Sequence, residues 1–269
     1  MRVINRISDL ARPCAFVPTM GALHAGHQSL IHIAKELCDE VVVSVFVNPL
    51  QFNNKDDFAK YPSTPERDEE LAAQAGATVL WRPSHDEIYP ENFERLSAGE
   101  LGKKFEGHSR PGHFDGVVTV VNQLFNRVQP KFAIFGEKDF QQLALIRTMA
   151  ESRHPEIEII AAPTIRESSG LALSSRNVRL NDVGREAAEI ISRALRAASD
   201  RDSLKDMRIE LEKVKSESRF TLDYADIIDE DTFEIATDET ARKRALVAGW
   251  IDGIRLIDNM AMKRALVRS

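Results

Sequence analysis

Apolar residues gather in five short runs along the first two thirds of the chain, at 16–18, 40–47, 77–81, 131–135 and 157–162. These runs have the length and β-branched content of strands, whereas the stretches between several of them repeat apolar residues at three- and four-residue spacing, the period of a helix. The run at 40–47, EVVVSVFV, is nearly continuous, as expected of a strand buried on both faces of a parallel sheet. Helices are predicted over 26–38, 65–75, 114–128 and from the GEKDFQQL segment to about 152. The second of these opens with Thr64, Pro65 and Glu66, a cap, a first-turn proline and an acid suited to the helix dipole. Residues 1–13 read as a lead-in, partly helical over 4–10. Residues 53–61 read as a surface loop, 83–107 as loop with short helices, and 164–177 as a polar loop. Strands alternating with helical crossovers predict a doubly wound, Rossmann-like parallel α/β sheet with right-handed connections.

The pattern changes near Asn181. A helix over 182–198 places Ala187, Ile190, Ile191, Ala194 and Leu195 on one side, a second helix spans 203–216, and strand-like runs follow at 222–228, 245–248 and 253–257. A first domain over 1–180 and a smaller α/β domain with an antiparallel sheet over 181–269 are therefore expected.

The stretch 16–30, FVPTMGALHAGHQSL, runs from a strand through a glycine-punctuated loop into a helix. That order aims backbone N–H groups and a positive dipole end at the crevice beyond the strand, a setting for phosphate. His24 and His27 add neutral or cationic donors, and Gly26 between them lets the backbone approach a ligand where a Cβ would block it. For any single His-x-x-His the alternative is a turn satisfied by its own imidazoles. NPLQF puts Asn48 and Gln51 just past the carboxyl end of the 40–47 strand, where open α/β sheets bind ligands.

A chain of 269 residues with 43% hydrophobic content can build one large domain or one large and one small. A net charge of −6 argues against bulk nucleic-acid binding, so a polyanion site must be locally basic. The two cysteines, Cys14 and Cys38, make neither a disulfide framework nor a metal cluster and fit small core residues in a reducing compartment. No apolar run is long enough to span a bilayer, and the N-terminus lacks a signal-peptide core, so a cytoplasmic location without membrane contact is expected.

PTMGALHAGH, FVNPLQF, FGEKDFQQL and SSRN occur in that order, and with the His-x-Gly-His signature they resemble the pantoate-β-alanine ligase family of the nucleotidylyltransferase superfamily. The match runs from about 16 to 180 and resumes near the C-terminus. The lead-in is shorter than the family's, and ETARKRALVAGW is only loosely family-like. The resemblance implies that the pantoate carboxylate attacks the α-phosphate of ATP to give pantoyl adenylate and pyrophosphate, and that the β-alanine amine then displaces AMP to form pantothenate, the coenzyme A precursor. Magnesium accompanies ATP, the small domain shapes a lid, and the usual assembly is a homodimer with contacts near EVVVSVFVNP.

Every nucleophile in that scheme belongs to a substrate, so the protein's part is alignment and charge stabilisation. His24 and His27 then face the phosphates, with His27 the transition-state contact and proton donor. Lys138, past a strand end on the same rim, completes the clamp. Ser174, Ser175 and Arg176 suit the β- and γ-phosphates, with the guanidinium forking across two oxygens and the loop closing over ATP. Pro18, Thr19, Met20, Gly21, Phe135, Gly136, Asp139, Thr164 and Ile165 fall in matching segments around ATP; Asp139 is alternatively a helix cap. Gln51 and Gln142 offer amides to a ligand with carboxylate and hydroxyls side by side, Met20 and Phe52 pack its methyls, and Asn48 matches the same pocket. Arg110 and His113 orient the carboxylate or belong to the entry of the next helix. Asp68 matches the family's metal-side aspartate or is a first-turn acid. His32, His85, His108 and His154 read as surface residues. Two further readings stand beside the ligase: transfer of a nucleotide to a phosphomonoester, and an ATP-binding sensor without turnover.

Overall fold

A computed structural model describes residues 1–7, 11, 13–53, 58–59 and 61–263. Two compact units divide it, Met1–Ile165 and Arg166–Ser269.

The first unit is built on a parallel sheet of six strands: β1 (Arg2–Ile4), β2 (Cys14–Thr19), β3 (Glu40–Val45), β4 (Val79–Trp81), β5 (Phe132–Gly136) and β6 (Glu158–Ala162), in the order β1-β4-β3-β2-β5-β6. Five of these strands match the apolar runs. The sixth, β1, falls in the expected lead-in, where Arg2, Val3 and Ile4 add a short parallel edge to β4 and only Ile4 overlaps the expected partial helix. Residues 8–10 of that expected helix lie outside the described residues, as do 54–57 and 60 of the expected surface loop.

Crossover helices cover both faces of the sheet. On one face α1 (Ala25–Leu37) and α2 (Pro65–Gln74) bury Ile31, Ala34 and Ala72 against Val17, Val41, Val43 and Leu80. On the other, α5 (His113–Val128) and α6 (Phe140–Arg153) pack Val117, Val121, Phe125, Leu143 and Ile146 against Phe16, Val42 and Trp81. The stretch 83–107 holds the short helix α3 (His85–Ile88), a 3-10 turn at Leu101–Lys103 and, from its last residues onward, α4 (Glu106–Ser109). Cys14 and Cys38 are both buried, as expected of core residues. His154 corrects one expectation: it is buried, with its Nε2 2.9 Å from Asn122 Oδ1, whereas His32, His85 and His108 are exposed.

Pro18 in an interior strand is tolerated for a visible reason. The β2–β5 ladder ends at Phe16↔Ala133, so the two strands part before the position where an N–H is missing. β2 pairs onward with β3 through Thr19↔Val45. The chain thus winds to one side from β2 and to the other through β5, which makes the gap beyond their carboxyl ends the switch point of the sheet. β3 lies between β4 and β2, with Val41, Val42, Val43 and Ser44 at 0% exposure.

The second unit carries an antiparallel sheet of β7 (Phe220–Asp229), β8 (Lys243–Ile251) and β9 (Ile254–Ala261), covered by α7 (Asp182–Ser199) and α8 (Leu204–Leu211). Its beginning at Arg166, ahead of the expected residue 181, has a physical cause. Arg166 grips the Asp258 carboxylate with both Nη atoms, at 2.6 and 2.9 Å, and Glu167 pairs with Arg185 of α7. These charges bind the polar loop into the second unit.

Candidate active site

The loop between β2 and α1 is held at both ends. Thr19 Oγ1 donates to the Ser44 carbonyl (2.7 Å) and accepts from the Gly21 N–H (3.2 Å). At the helix start the two histidines cap each other's backbone: His24 Nδ1 accepts from the Gly26 N–H (3.1 Å) and His27 Nδ1 from the His24 N–H (3.3 Å). With Nδ1 accepting in each ring, a neutral imidazole carries its proton on Nε2. Both are neutral: burial, then the Lys138 ammonium, lowers the His24 pKa to about 4, and burial, His24 and Lys138 lower that of His27 to about 3. The ring centroids lie 4.1 Å apart. The site therefore presents two Nε2–H donors rather than imidazolium charge. The expected free N–H groups of the helix start are partly used, since Gly26 binds His24 Nδ1 and His27 binds the His24 carbonyl (2.8 Å).

Across the switch point, Phe135 and Gly136 end β5, and a 3-10 turn at Glu137–Asp139 follows. Lys138 in that turn is 19% exposed, with Nζ 3.7 Å from Asp139 Oδ1. Asp139 occupies the cap position of α6 but makes no capping bond, which corrects the cap alternative. Gln142 is half-buried in the first turn of α6. The Lys138 charge is one of the causes that lower both imidazole pKa values, after burial, and β2 and β5, whose carboxyl ends lead to these residues, are neighbours in the sheet.

The turn Pro49–Gln51 forms the neighbouring wall. Asn48, 1% exposed, uses every valence of its amide: Oδ1 accepts from the Leu50 N–H (3.1 Å) and the Tyr89 hydroxyl (2.6 Å), and Nδ2 donates to Gln51 Oε1 and the Gly116 carbonyl, both at 3.0 Å. A carboxamide so occupied builds the wall rather than contacting a ligand. Gln51 Nε2 reaches Met20 Sδ at 3.0 Å, which joins this wall to the β2 loop. Arg110 and His113 both reach the Gln51 turn. His113 Nδ1 donates to the Gln51 carbonyl (2.8 Å) and Arg110 Nη2 to the same oxygen (3.3 Å), while Arg110 Nη1 donates to His113 Nε2 (3.1 Å). Burial, then Arg110, lowers the His113 pKa to about 4.

The sequence model of pantoate-beta-alanine ligase matches residues 2–261. The chain belongs to the pantoate-β-alanine ligase family. It is 47% identical over 265 residues to the pantothenate synthetase of Acidothermus cellulolyticus, covering 95% of this chain and 88% of that protein. Its structure is similar to the crystal structure of pantothenate synthetase from Thermus thermophilus, with a TM-score of 0.91, 41% identity and coverage of 97% and 99% of the two chains. It is also similar to the pantoate-beta-alanine ligase of Francisella tularensis in complex with beta-gamma ATP and beta-alanine, with a TM-score of 0.79, 38% identity and coverage of 94% and 91%.

Relative to the residues that the pantoate-β-alanine ligase resemblance implies, Pro18, Thr19, Met20, Gly21, His24, His27, Gln51, Phe135, Gly136, Lys138, Asp139 and Gln142 cluster at or beside the β2–β5 switch point, while Thr164 and Ile165 follow β6. Ser174, Ser175 and Arg176 belong to the second unit, where Ser174 Oγ caps the 3-10 turn Ser175–Arg179 by accepting from the Arg176 N–H (3.3 Å). Asp68 does not fit the metal role. It is 1% exposed and accepts three hydrogen bonds from protein groups, and among the described residues no group of three His, Cys, Asp or Glu is placed to hold a metal ion.

Tyr89, Glu106 and Gly116 escaped the sequence reading. Tyr89 and Glu106 lie in the stretch without periodic cues; Glu106 is buried 3.7 Å from Arg110. Gly116 did carry a signal, a glycine inside an apolar helix, and a Cβ there would sit 2.4 Å from the Leu50 carbonyl oxygen.

The buried His113 and the partly buried His24 and His27 make stability depend on pH. In the unfolded chain each protonates near the ordinary 6.5, but in the native protein only near 4 for His24 and His113 and near 3 for His27. Between those values the unfolded state binds more protons, so stability is fully present above about 6.5 and declines as the pH falls, by roughly 1 kcal/mol per pH unit for each proton. Thermal unfolding at pH 5 is expected roughly 10–20 °C below that at pH 8, and His27→Asn should reduce the difference.

Proposed function

We propose that the chain joins pantoate to β-alanine at the expense of ATP, through a pantoyl adenylate made at the β2–β5 switch point. The observation that carries this reading is the pair of neutral imidazoles with Nε2–H donors beside the Lys138 ammonium. Such donors stabilise charge gathering on an α-phosphate without a change of their own protonation. His27 then donates a hydrogen bond in the transition state rather than a proton, since a ring that protonates near pH 3 is not an imidazolium at neutral pH and its one N–H is too weak an acid to give up.

In this reading the Gln51 and Gln142 amides hold the pantoate carboxylate and hydroxyls against Met20, with Asn48, Arg110 and His113 fixing the Gln51 turn behind them. Ser174, Ser175 and Arg176 are proposed as further phosphate contacts on the ground of residue type and family resemblance. Magnesium is proposed to arrive with ATP, ligated by phosphate oxygens and water, where it neutralises charge on the triphosphate. A cytoplasmic homodimer is proposed on the family resemblance. Among the described residues no helix is long and apolar enough to cross a membrane.

Supplying ATP, magnesium and pantoate without amine tests the reading. Pyrophosphate and an enzyme-held acyl adenylate are expected, discharged to pantothenate and AMP on adding β-alanine. Pyrophosphate release that requires a phosphomonoester in place of pantoate, or ATP binding without turnover, overturns it.

A further inference from the structure

Gly21 and Ala22 both adopt positive φ, +83° and +50°. In this turn the successive N–H groups of Ala22 and Leu23 point to one side, as in a concave anion site. Here the anion is internal. Asp68, from the first turn of α2, accepts from the Ala22 N–H through Oδ2 (3.1 Å) and from the Leu23 N–H through Oδ1 (2.8 Å). Thr64, whose side chain makes no cap of its own helix, donates its hydroxyl to Oδ1 (2.9 Å). The carboxylate is 1% exposed, and a Cβ at residue 21 would lie 2.9 Å from Oδ2, so only glycine admits it this close.

Left-handed geometry at Ala22 costs energy for an L-residue and persists where its surroundings hold it. The next residue after the gripped segment is His24, which begins the reciprocal histidine cap. We propose that Asp68 is a positioning residue for adenylate formation: its carboxylate folds the β2–α1 loop so that His24 and His27 present Nε2–H to the phosphate, and it is not a magnesium ligand. This inference rests on the proposed function for its kinetic part alone.

Asp68→Asn tests it, because the amide keeps the shape but sets an N–H against a backbone N–H. The expected result is a fall in kcat of about 10-fold, from an unsatisfied buried pair, with the KM for ATP changed less than about 3-fold and the magnesium concentration for half-maximal rate unchanged. Nitrogen NMR of the ligand-free, metal-free protein is expected to show His24 and His27 fixed as Nε2–H tautomers in the wild type and mixed in Asp68→Asn. Thr64→Val, which keeps the carboxylate and removes one donor, should move the same signals less and so covers a poorly folding Asp68→Asn. A many-fold rise in the magnesium requirement with unchanged tautomers overturns the proposal in favour of a metal ligand. Unchanged tautomers in both variants overturn it outright. Because the NMR readout needs no substrate, it separates failure of this inference from failure of the functional reading.

Discussion

Lys138→Ala is expected to lower pyrophosphate release from ATP and pantoate by about 100- to 1,000-fold at saturating substrate, the usual cost of removing one preorganised donor from a transition state. The side chain sits in the turn that leaves β5 and is largely withdrawn from solvent, so its charge acts across a low-dielectric gap. Its influence already shows in the resting protein, since it helps to lower both imidazole pKa values. The variant should therefore raise the His24 and His27 pKa values toward 6.5, measurable by NMR titration, while the unfolding temperature stays near that of the wild type. A rate within about 3-fold of wild type would remove Lys138 from the phosphate clamp.

His27→Ala carries the second large effect, also about 100- to 1,000-fold in pyrophosphate release, and its companions divide the ring's two duties. Nδ1 accepts the His24 N–H, and Nε2 offers a proton outward. His27→Asn should keep the cap and the stability but lose most of the rate, whereas His27→Gln, which reaches as far as Nε2, should recover part of the rate. Since His27 protonates near pH 3 and His24 near 4, neither contributes a titration to the rate between pH 5 and 8. A limb near pH 6–7 that vanishes in His27→Ala would show that an imidazolium acts as an acid, against the reading given above.

Phe16, Val41 and Ile134 fall in runs whose period and length specify buried parallel strands wherever the helices pack. β1 was not legible, because three residues stripped of their neighbour look the same as a loop, and only pairing with β4 makes them a strand. The unit boundary escaped for a related reason: Arg166 and Asp258 are 92 positions apart, and nothing local to either announces the pair.

The candidate site divides along the same line. His24 and His27 could be singled out from a glycine-punctuated loop between a strand and a helix, whereas Lys138 and Gln51 were candidates through the resemblance of their segments to the family. The protonation of the imidazoles, the hydrogen-bond partners of Asp68 and the full occupation of Asn48 were decided by tertiary structure alone. Each depends on partners brought from distant segments, namely α2 for the loop, the β5 turn for the histidines, and Tyr89 and Gly116 for the asparagine. Local sequence sets which groups a segment can offer, but burial and hydrogen bonding across the fold set which of those groups still have a free valence and which charge they carry.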